Sequence, residues 1–176
     1  MIRRTNQSSG FGRLTAMATN SRPAPLLAFE DFEPGQVFEL PDYAVSEADI
    51  LRFAKEFDPQ PIHTDPAYAA TSDMGGLIAS GWHTAAIFMR MQCDSFLLNT
   101  SSIVSPGVDE IRWLRPLRPG DVLSGSVEVT KVAASRSKPD RGTVYCKGTV
   151  VNQHGDAVMT VTTRNIYRRR QAEASR

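Results

Sequence analysis

A carboxylate and an imidazole lie five residues apart in a proline-rich segment of the chain, Phe57-Asp58-Pro59-Gln60-Pro61-Ile62-His63-Thr64-Asp65-Pro66. These side-chain types are among the most frequent general acids and bases in enzymes. Each proline fixes its own φ at about −65° and favours extended geometry in the residue before it, so the segment is predicted to be a pre-ordered loop that excludes helix and inner strand. Such a loop can hold Asp58 and His63 as a catalytic pair on a rigid scaffold.

The same segment also has a purely structural interpretation. In that case the prolines end one helix and space the next, Asp58 is an ordinary loop residue, and His63 is a packed core histidine. Spacing does not separate the two interpretations, because five residues of extended chain can hold two side chains up to about 17 Å apart.

Other residues that could do chemistry are weaker candidates. His83 falls in a predicted helix, where it either lines a pocket or packs, and His154 falls in a predicted turn. The His63-Thr64-Asp65 spacing has no third ligand beside it, so no metal is expected. Ser80 lies in Ile78-Ala79-Ser80-Gly81-Trp82, which is not the G-x-S-x-G pattern of serine hydrolases.

The composition narrows the class of protein. With 176 residues, 41% hydrophobic and 22% charged, the chain suits one globular domain, and a net charge of +1 gives no indication of nucleic-acid binding. No apolar stretch reaches the ~18–20 residues that span a bilayer, so no membrane partner is expected. Cys93 and Cys146 lack CxxC spacing, which indicates buried thiols in a reducing, cytoplasmic compartment and no redox chemistry.

Helices are predicted in the first half of the domain. The segment Ser46–Asp49 resembles a capping box, and apolar residues at helical spacing predict a helix from about Glu47 to Glu56. Asp65 is a predicted N-cap for a short helix through Ala70. From Trp82 to Leu98, apolar residues occupy nearly every face, which predicts a helix buried all round.

Strands are predicted in the second half, where the apolar period changes to two. The alternation covers 127–130, 143–150 and 157–162, and residues 153–156 form a predicted hairpin turn. Helices followed by antiparallel strands are the α+β pattern. A helix that is apolar on all sides needs more cover than one flat sheet gives, so the sheet is expected to curl around it, as in a hot-dog fold.

A single domain is predicted from residue 29 to residue 167, beginning with two separate extended pieces at 37–40 and 41–45. Residues 1–28 contain four arginines and no acidic residue, and are predicted to be a disordered extension, either a targeting segment or a stretch upstream of a translation start at Met17. Residues 168–176 are predicted to be a flexible basic tail.

The proline loop, taken with the segment 79–83 that follows it, resembles the MaoC-like dehydratase family, which includes the (R)-specific enoyl-CoA hydratases. That family has an Asp-x-Asn-Pro-aliphatic-His loop before the central hot-dog helix, and Asp58, Pro61 and His63 match it in order and spacing. Ser80-Gly81 stands where the family carries a small or polar residue and a glycine. The resemblance extends over roughly residues 29–167 and implies an antiparallel β-sheet wrapped around a long central α-helix.

Two positions depart from the family pattern. Gln60 stands where the family usually has asparagine, so the amide is kept but lies one methylene further out. Phe57 stands where the family usually has glycine, which puts bulk beside the acid. Both departures bear on the identity of the substrate.

The resemblance implies an acyl-CoA hydratase or dehydratase that adds water to, or removes it from, the 2,3 bond of an enoyl-CoA thioester in fatty acid metabolism. Asp58 and His63 would hold the water, with Asp58 as the base in a partly desolvated site that raises its basicity. The N–H of Gly81, at the start of a helix, would stabilise the enolate oxygen. No cofactor is implied, since coenzyme A is part of the substrate. The residues expected to bind substrate are Phe57, Gln60, Ser80, Trp82 and His83.

Two other functions remain open. A hot-dog thioesterase also uses a carboxylate and a helix-start N–H, and a domain of this fold can bind acyl-CoA without catalysis. Arginines at positions 112, 115 and 118 either meet the phosphates of coenzyme A or form a solvated face. A lone hot-dog sheet leaves long edges unpaired, so a homodimer or a larger homo-oligomer is expected.

Overall fold

The computed structural model describes residues 27–170; the predicted features that fall in 1–26 and 171–176 lie outside the described residues. None of the described helices is long and apolar enough to cross a membrane. The elements, in chain order, are the 3₁₀ helix Phe29–Asp31, β1 Val37–Ala44, α1 Glu47–Phe57, α2 Pro61–Thr64, α3 Pro66–Thr71, α4 Gly81–Ser95, the 3₁₀ helix Leu97–Asn99, β2 Ser102–Trp113, β3 Val122–Ala134, β4 Arg141–Val151 and β5 Ala157–Arg168.

The five strands form one antiparallel sheet in the order β1-β3-β4-β5-β2, so β1 and β2 are its edges. Helix α4 is joined to both edges. Near its end, Ser95 Oγ donates to the Glu39 carbonyl of β1 at 2.7 Å, and at its start the Gly81 carbonyl accepts from Trp113 Nε1 of β2 at 2.8 Å. The sheet therefore wraps around α4, which confirms the predicted α+β hot-dog fold.

Local capping signals are confirmed at two helix starts. Ser46 Oγ accepts from the Asp49 N–H at 3.1 Å at the start of α1. Asp65 Oδ1 accepts from the N–H groups of Ala67 and Tyr68 at 2.9 and 3.1 Å at the start of α3. Both caps satisfy amides that the first helical turn leaves without intrahelical partners.

The expectation that the proline loop excludes helix is wrong. Pro61 begins the single-turn helix α2, with Gln60 in extended geometry as its N-cap. A proline at the first helical position costs little, because the N–H it lacks would have no partner there.

The prediction of two separate pieces at 37–40 and 41–45 is also wrong. β1 is continuous from Val37 to Ala44, and its pairing with β3 shifts register between Leu40 and Tyr43. Pro41 lies in that shift, where an edge strand tolerates the loss of one donor.

Helix α4 is not buried all round. Trp82 is 63% exposed and Met89 is 50% exposed, whereas Ile87, Phe88 and Met91 are buried. The exposed apolar stripe borders β2, the edge strand whose outer side is unpaired among the described residues.

Strand β2 was not predicted from the apolar periodicity, because it carries Pro106, Gly107 and several charged residues and is exposed along most of its length. The neighbouring strand β5 extends one residue into the predicted basic tail. Beyond it, Arg169 Nε donates to Glu30 Oε1 at 2.8 Å, and the Arg170 guanidinium donates to the Asp31 carboxylate. These pairs join the start and end of the described chain.

We expect Gly148→Ala to lower the free energy of unfolding by about 1–3 kcal/mol, because overpacking a close helix-to-sheet contact forces neighbours apart. A Cβ at Gly148 of β4 would lie 2.3 Å from Phe88 Cζ of α4 and 2.8 Å from Val161 Cγ1. Urea unfolding followed by circular dichroism measures the change.

The matched control is Gly107→Ala in β2, whose added Cβ has no atom within 4 Å. This change is expected to be neutral or slightly stabilising, because glycine inside a strand costs about 0.5–1 kcal/mol relative to alanine. Equal destabilisation by both substitutions would contradict the close packing of α4 on the sheet.

Candidate active site

The acid of the site is held at the end of α1. Ile50 and Ala54 of this helix are fully buried, which anchors it to the core, and the Asp58 N–H donates to the Ala54 carbonyl at 2.9 Å as the helix ends. From there the chain turns directly into α2 through Pro59 and Gln60. Asp58 therefore has a backbone position set by hydrogen bonding on one side and by proline on the other.

The histidine lies in α2 and is buried. Its Nδ1 is 2.9 Å from the Ile78 carbonyl oxygen. Because a carbonyl can only accept, Nδ1 carries the hydrogen, and the Nε2 of a neutral His63 ring presents a lone pair. That Nε2 lies 3.6 Å from Asp58 Oδ2, so the imidazole and the carboxylate face each other.

Two donors bind the Asp58 carboxylate. Ser80 Oγ donates to Oδ2 at 2.6 Å, and Gln60 Nε2 donates to Oδ1 at 2.7 Å. The bond from Ser80, followed by that from Gln60, holds the pKa of Asp58 below its ordinary value, against the opposing effect of burial. From the sequence, desolvation was predicted to raise this pKa; here the direct hydrogen bonds to the charged form outweigh desolvation.

Ser80 also begins α4. Its buried hydroxyl accepts from the Trp82 N–H at 3.2 Å while donating to Asp58, so one oxygen caps the helix and fixes the acid. Gly81 is the first helical residue, and its N–H has no acceptor within residues 27–170. A free amide at a helix start is a donor for a developing negative charge.

A cavity of about 290 Å³ joins these groups, and both His63 and Gly81 line it. Its other walls come from the segment before α4, from Thr84 on α4 and from the end of β2 with the following loop, including Trp113 and Arg115. Asp58 and Ser80 are not among its lining residues, but Asp58 Oδ2 lies 3.6 Å from Nε2 of the lining residue His63. The imidazole and the free amide thus line one cavity, and the carboxylate lies next to the imidazole.

The structure does not bring every predicted substrate-binding residue to that space. Phe57 is exposed and packs against Phe53 with ring centroids 5.1 Å apart. His83 is buried and stacked on Phe53 at 4.7 Å, where burial lowers its pKa. Trp82 lines a different cavity of about 490 Å³ between α4 and β2. Gln60 and Ser80 contact the acid itself.

Trp113 is a site residue that the motif analysis did not select. Its indole donates to the Gly81 carbonyl at 2.8 Å across 32 residues of sequence. Its only sequence signal was its place at the start of the stretch Trp113–Asp121, and nothing local connects it with Gly81. Within residues 27–170, no group of three or more histidine, cysteine or carboxylate side chains is arranged to hold a metal ion.

Comparison with known proteins relates the chain to one family. A model of the MaoC-like domain matches residues 30–152. The crystal structure of a MaoC-like dehydratase from Rhodospirillum rubrum aligns with a TM-score of 0.78 and 42% identity, covering 83% of this chain and 99% of that one.

Two further relatives have named activities. The R-hydratase PhaJ1 of Pseudomonas aeruginosa aligns with a TM-score of 0.63 and 25% identity, over 85% of this chain and 94% of that one. A 3-hydroxybutyryl-CoA dehydratase of Methylorubrum extorquens is 29% identical over 141 residues, which cover 77% of this chain and 85% of the relative.

Removal of the Ser80 hydroxyl is expected to raise the pKa of Asp58 towards its ordinary value, because this bond is the largest cause of the lowering. The lowered pKa stabilises the folded protein above the pKa of the unfolded chain, and that contribution is lost as the pH falls through the folded value. Ser80→Ala should therefore shrink the contribution. Carboxyl ¹³C titration by NMR measures the pKa.

Ser95→Ala serves as the control, since Ser95 lies on the same helix and bonds only the distant Glu39 carbonyl. It should leave the titration of Asp58 unchanged. A wild-type Asp58 pKa in the Ser80→Ala protein would mean that the hydroxyl does not act on the carboxylate.

Proposed function

The chain belongs to the MaoC-like domain family, and on that basis we propose that it adds water to, or removes it from, the 2,3 bond of an enoyl-CoA thioester. The observation that carries the proposal is the pair of acceptors Asp58 Oδ2 and His63 Nε2, which face each other at 3.6 Å. The activities named for the R-hydratase and the 3-hydroxybutyryl-CoA dehydratase support the same reaction class.

Two facing acceptors suit a water that donates one hydrogen to each of them. The water oxygen then directs a lone pair away from Asp58 and His63, towards a substrate carbon in the cavity. Holding a reactant in this orientation replaces an encounter in solution with a reaction of neighbouring groups, which lowers the entropic part of the barrier.

In the hydration direction, the water oxygen bonds to C3 of the thioester while Asp58 takes its proton. The C2–C3 π electrons move to C2, and the carbonyl oxygen gains charge as an enolate. The Gly81 N–H donates to that oxygen, and an amide in such a role contributes about 2.7–4 kcal/mol to lowering a barrier. C2 then takes the proton held by Asp58, and the carbonyl re-forms. Dehydration is the reverse.

The low pKa of Asp58 has two consequences for this cycle. The carboxylate is ionised at neutral pH and ready to accept a proton, but it is a weak base. The proposed mechanism therefore depends on stabilising the enolate at Gly81 more than on the basicity of the acid. Coenzyme A enters as part of the substrate, and no further cofactor takes part in the proposed steps.

We expect Asp58→Asn to lower kcat by about 10²–10⁴-fold, because the amide cannot take the proton from water. The assay follows the loss of enoyl-thioester absorbance across 2-enoyl-CoA esters from short to long acyl chains. In the wild type, kcat/KM should fall as the pH falls through the pKa of Asp58. Because that pKa is lowered, the loss should occur at more acidic pH than for an ordinary aspartate.

Asp65→Asn is the matched control in the same loop, since Asp65 caps α3 and asparagine caps helices equally well. It should keep wild-type turnover. Release of free coenzyme A without hydration would instead identify a thioesterase, and binding without turnover would identify a non-catalytic acyl-CoA domain; either result would refute the proposal.

A second copy of the chain is the proposed partner. The outer side of β2 has no paired strand among the described residues, and the exposed apolar side chains of Trp82, Met89 and Val108 lie beside it. An exposed edge next to an apolar stripe favours pairing with another chain, and a two-fold arrangement closes the edge. Joined β2 strands would also put a second chain next to the cavity wall at Trp113.

Analytical ultracentrifugation is expected to give a mass about twice the 19.4 kDa of one chain, or a higher multiple. Val108→Glu on β2 should shift the protein to monomer, because it buries a charge in the proposed interface. The control is Val37→Glu on the opposite edge β1, since Val37 is 50% exposed and Val108 is 56% exposed. Dissociation by the change at Val37 and not at Val108 would show that the interface lies at β1, and would contradict the proposed interface at β2.

A further inference from the structure

Trp113 makes a contact with Gly81 that leaves no room for a side chain there. A Cβ built on Gly81 would lie 2.6, 2.8 and 2.9 Å from Cε2, Cδ2 and Nε1 of the indole. The indole N–H also donates to the Gly81 carbonyl at 2.8 Å. The last residue of the edge strand β2 therefore contacts the first residue of α4 both by packing and by a hydrogen bond.

Asp58 is attached to the same helix start through Ser80. Ser80 Oγ donates to the carboxylate and accepts from the Trp82 N–H, and Trp113 Nε1 donates to the Gly81 carbonyl of that same Gly81–Trp82 peptide. The free Gly81 N–H lies between these two attachments. Its direction relative to Asp58 therefore depends on both attachments.

Trp113 is not a core residue. It is 43% exposed, it lines the same cavity as His63 and Gly81, and Trp82 packs edge-on against it at 5.4 Å with an interplanar angle of 77°. The hydrogen bond through its N–H and the contact with Trp82 hold the Trp113 indole in place. The ring therefore presents a rigid apolar surface to whatever occupies the cavity.

We propose that Trp113 is a positioning residue of the site: it sets the direction of the Gly81 amide towards the thioester oxygen, and its ring is the wall against which the thioester end of the substrate packs. This inference rests on the proposed function. It goes further in assigning a role to a side chain on the sheet edge, outside the loop and helix that supply the acid, the imidazole and the amide.

Trp113→Phe tests the first part, because it removes the indole N–H and keeps an aromatic ring over Gly81. We expect kcat for enoyl-CoA hydration to fall about tenfold with KM changed less than about twofold, since the hydrogen bond to Gly81 is lost and small misplacements of an oxyanion donor are costly. Tyr145→Phe on the outer face of β4 is the control and should keep wild-type kcat. A wild-type kcat in Trp113→Phe would overturn the positioning role.

A double-substitution cycle separates positioning from general damage to the fold. Gly81→Ala should lower kcat strongly in the wild type, because the added methyl displaces the indole. In a Trp113→Ala background the same change should cost at least fivefold less. Residues in direct contact are expected to couple in this way. Equal costs of Gly81→Ala in both backgrounds would overturn the contact as the source of the effect.

Fluorescence tests whether the substrate packs against the Trp113 ring. The chain has two tryptophans, so Trp82→Phe leaves Trp113 as the only tryptophan, and excitation at a wavelength that the four tyrosines do not absorb isolates its emission. Saturated butyryl-CoA, which cannot be hydrated, should quench or shift this emission with a midpoint equal to the Kd from calorimetry. Unchanged emission at concentrations where calorimetry detects binding would contradict the proposed contact between the Trp113 ring and the substrate. Failure of the proposed function would be seen differently, as absence of turnover in the wild-type protein itself.

Discussion

The arrangement of the site depends on one hydrogen bond, from the Ser80 hydroxyl to the Asp58 carboxylate. It joins two elements that share no backbone pairing, the loop after α1 and the first turn of α4. Because the same oxygen caps α4, the acid cannot move without disturbing the helix start. The position of the Asp58 carboxylate relative to the start of α4 is a consequence of that attachment, whereas His63 and Gly81 have further contacts of their own.

The electrostatics follow from the same bond. Donors placed on both carboxylate oxygens favour the charged form, so the acid of this site is held ionised in spite of its partial burial. His63 is oriented by a backbone carbonyl, which directs its lone pair at the acid. Each carboxylate oxygen accepts one bond and keeps a lone pair, so together with the His63 lone pair the site is suited to binding a small donor such as water.

Much of this could be predicted from sequence where the signals are local. The prolines and the resemblance of the Asp58 to His63 spacing identified the pair, and the caps at Ser46 and Asp65 follow from residue types within one turn. The direction of the Asp58 pKa could not be predicted, because it depends on Ser80, which lies 22 residues away. The strand β2 was missed because an edge strand exposed on both faces has no alternation to detect.

The ion pairs Glu30–Arg169 and Asp31–Arg170 have a consequence for the engineering of the domain. The first and last described segments lie side by side, so a short peptide could join residue 27 to residue 170 and new ends could be opened in a surface turn such as 153–156. Exposed ion pairs of this kind add little stability. They mark a place where the two described ends are close enough to be joined. A circular permutant made there would keep the acid, the imidazole and helix α4 in their present positions.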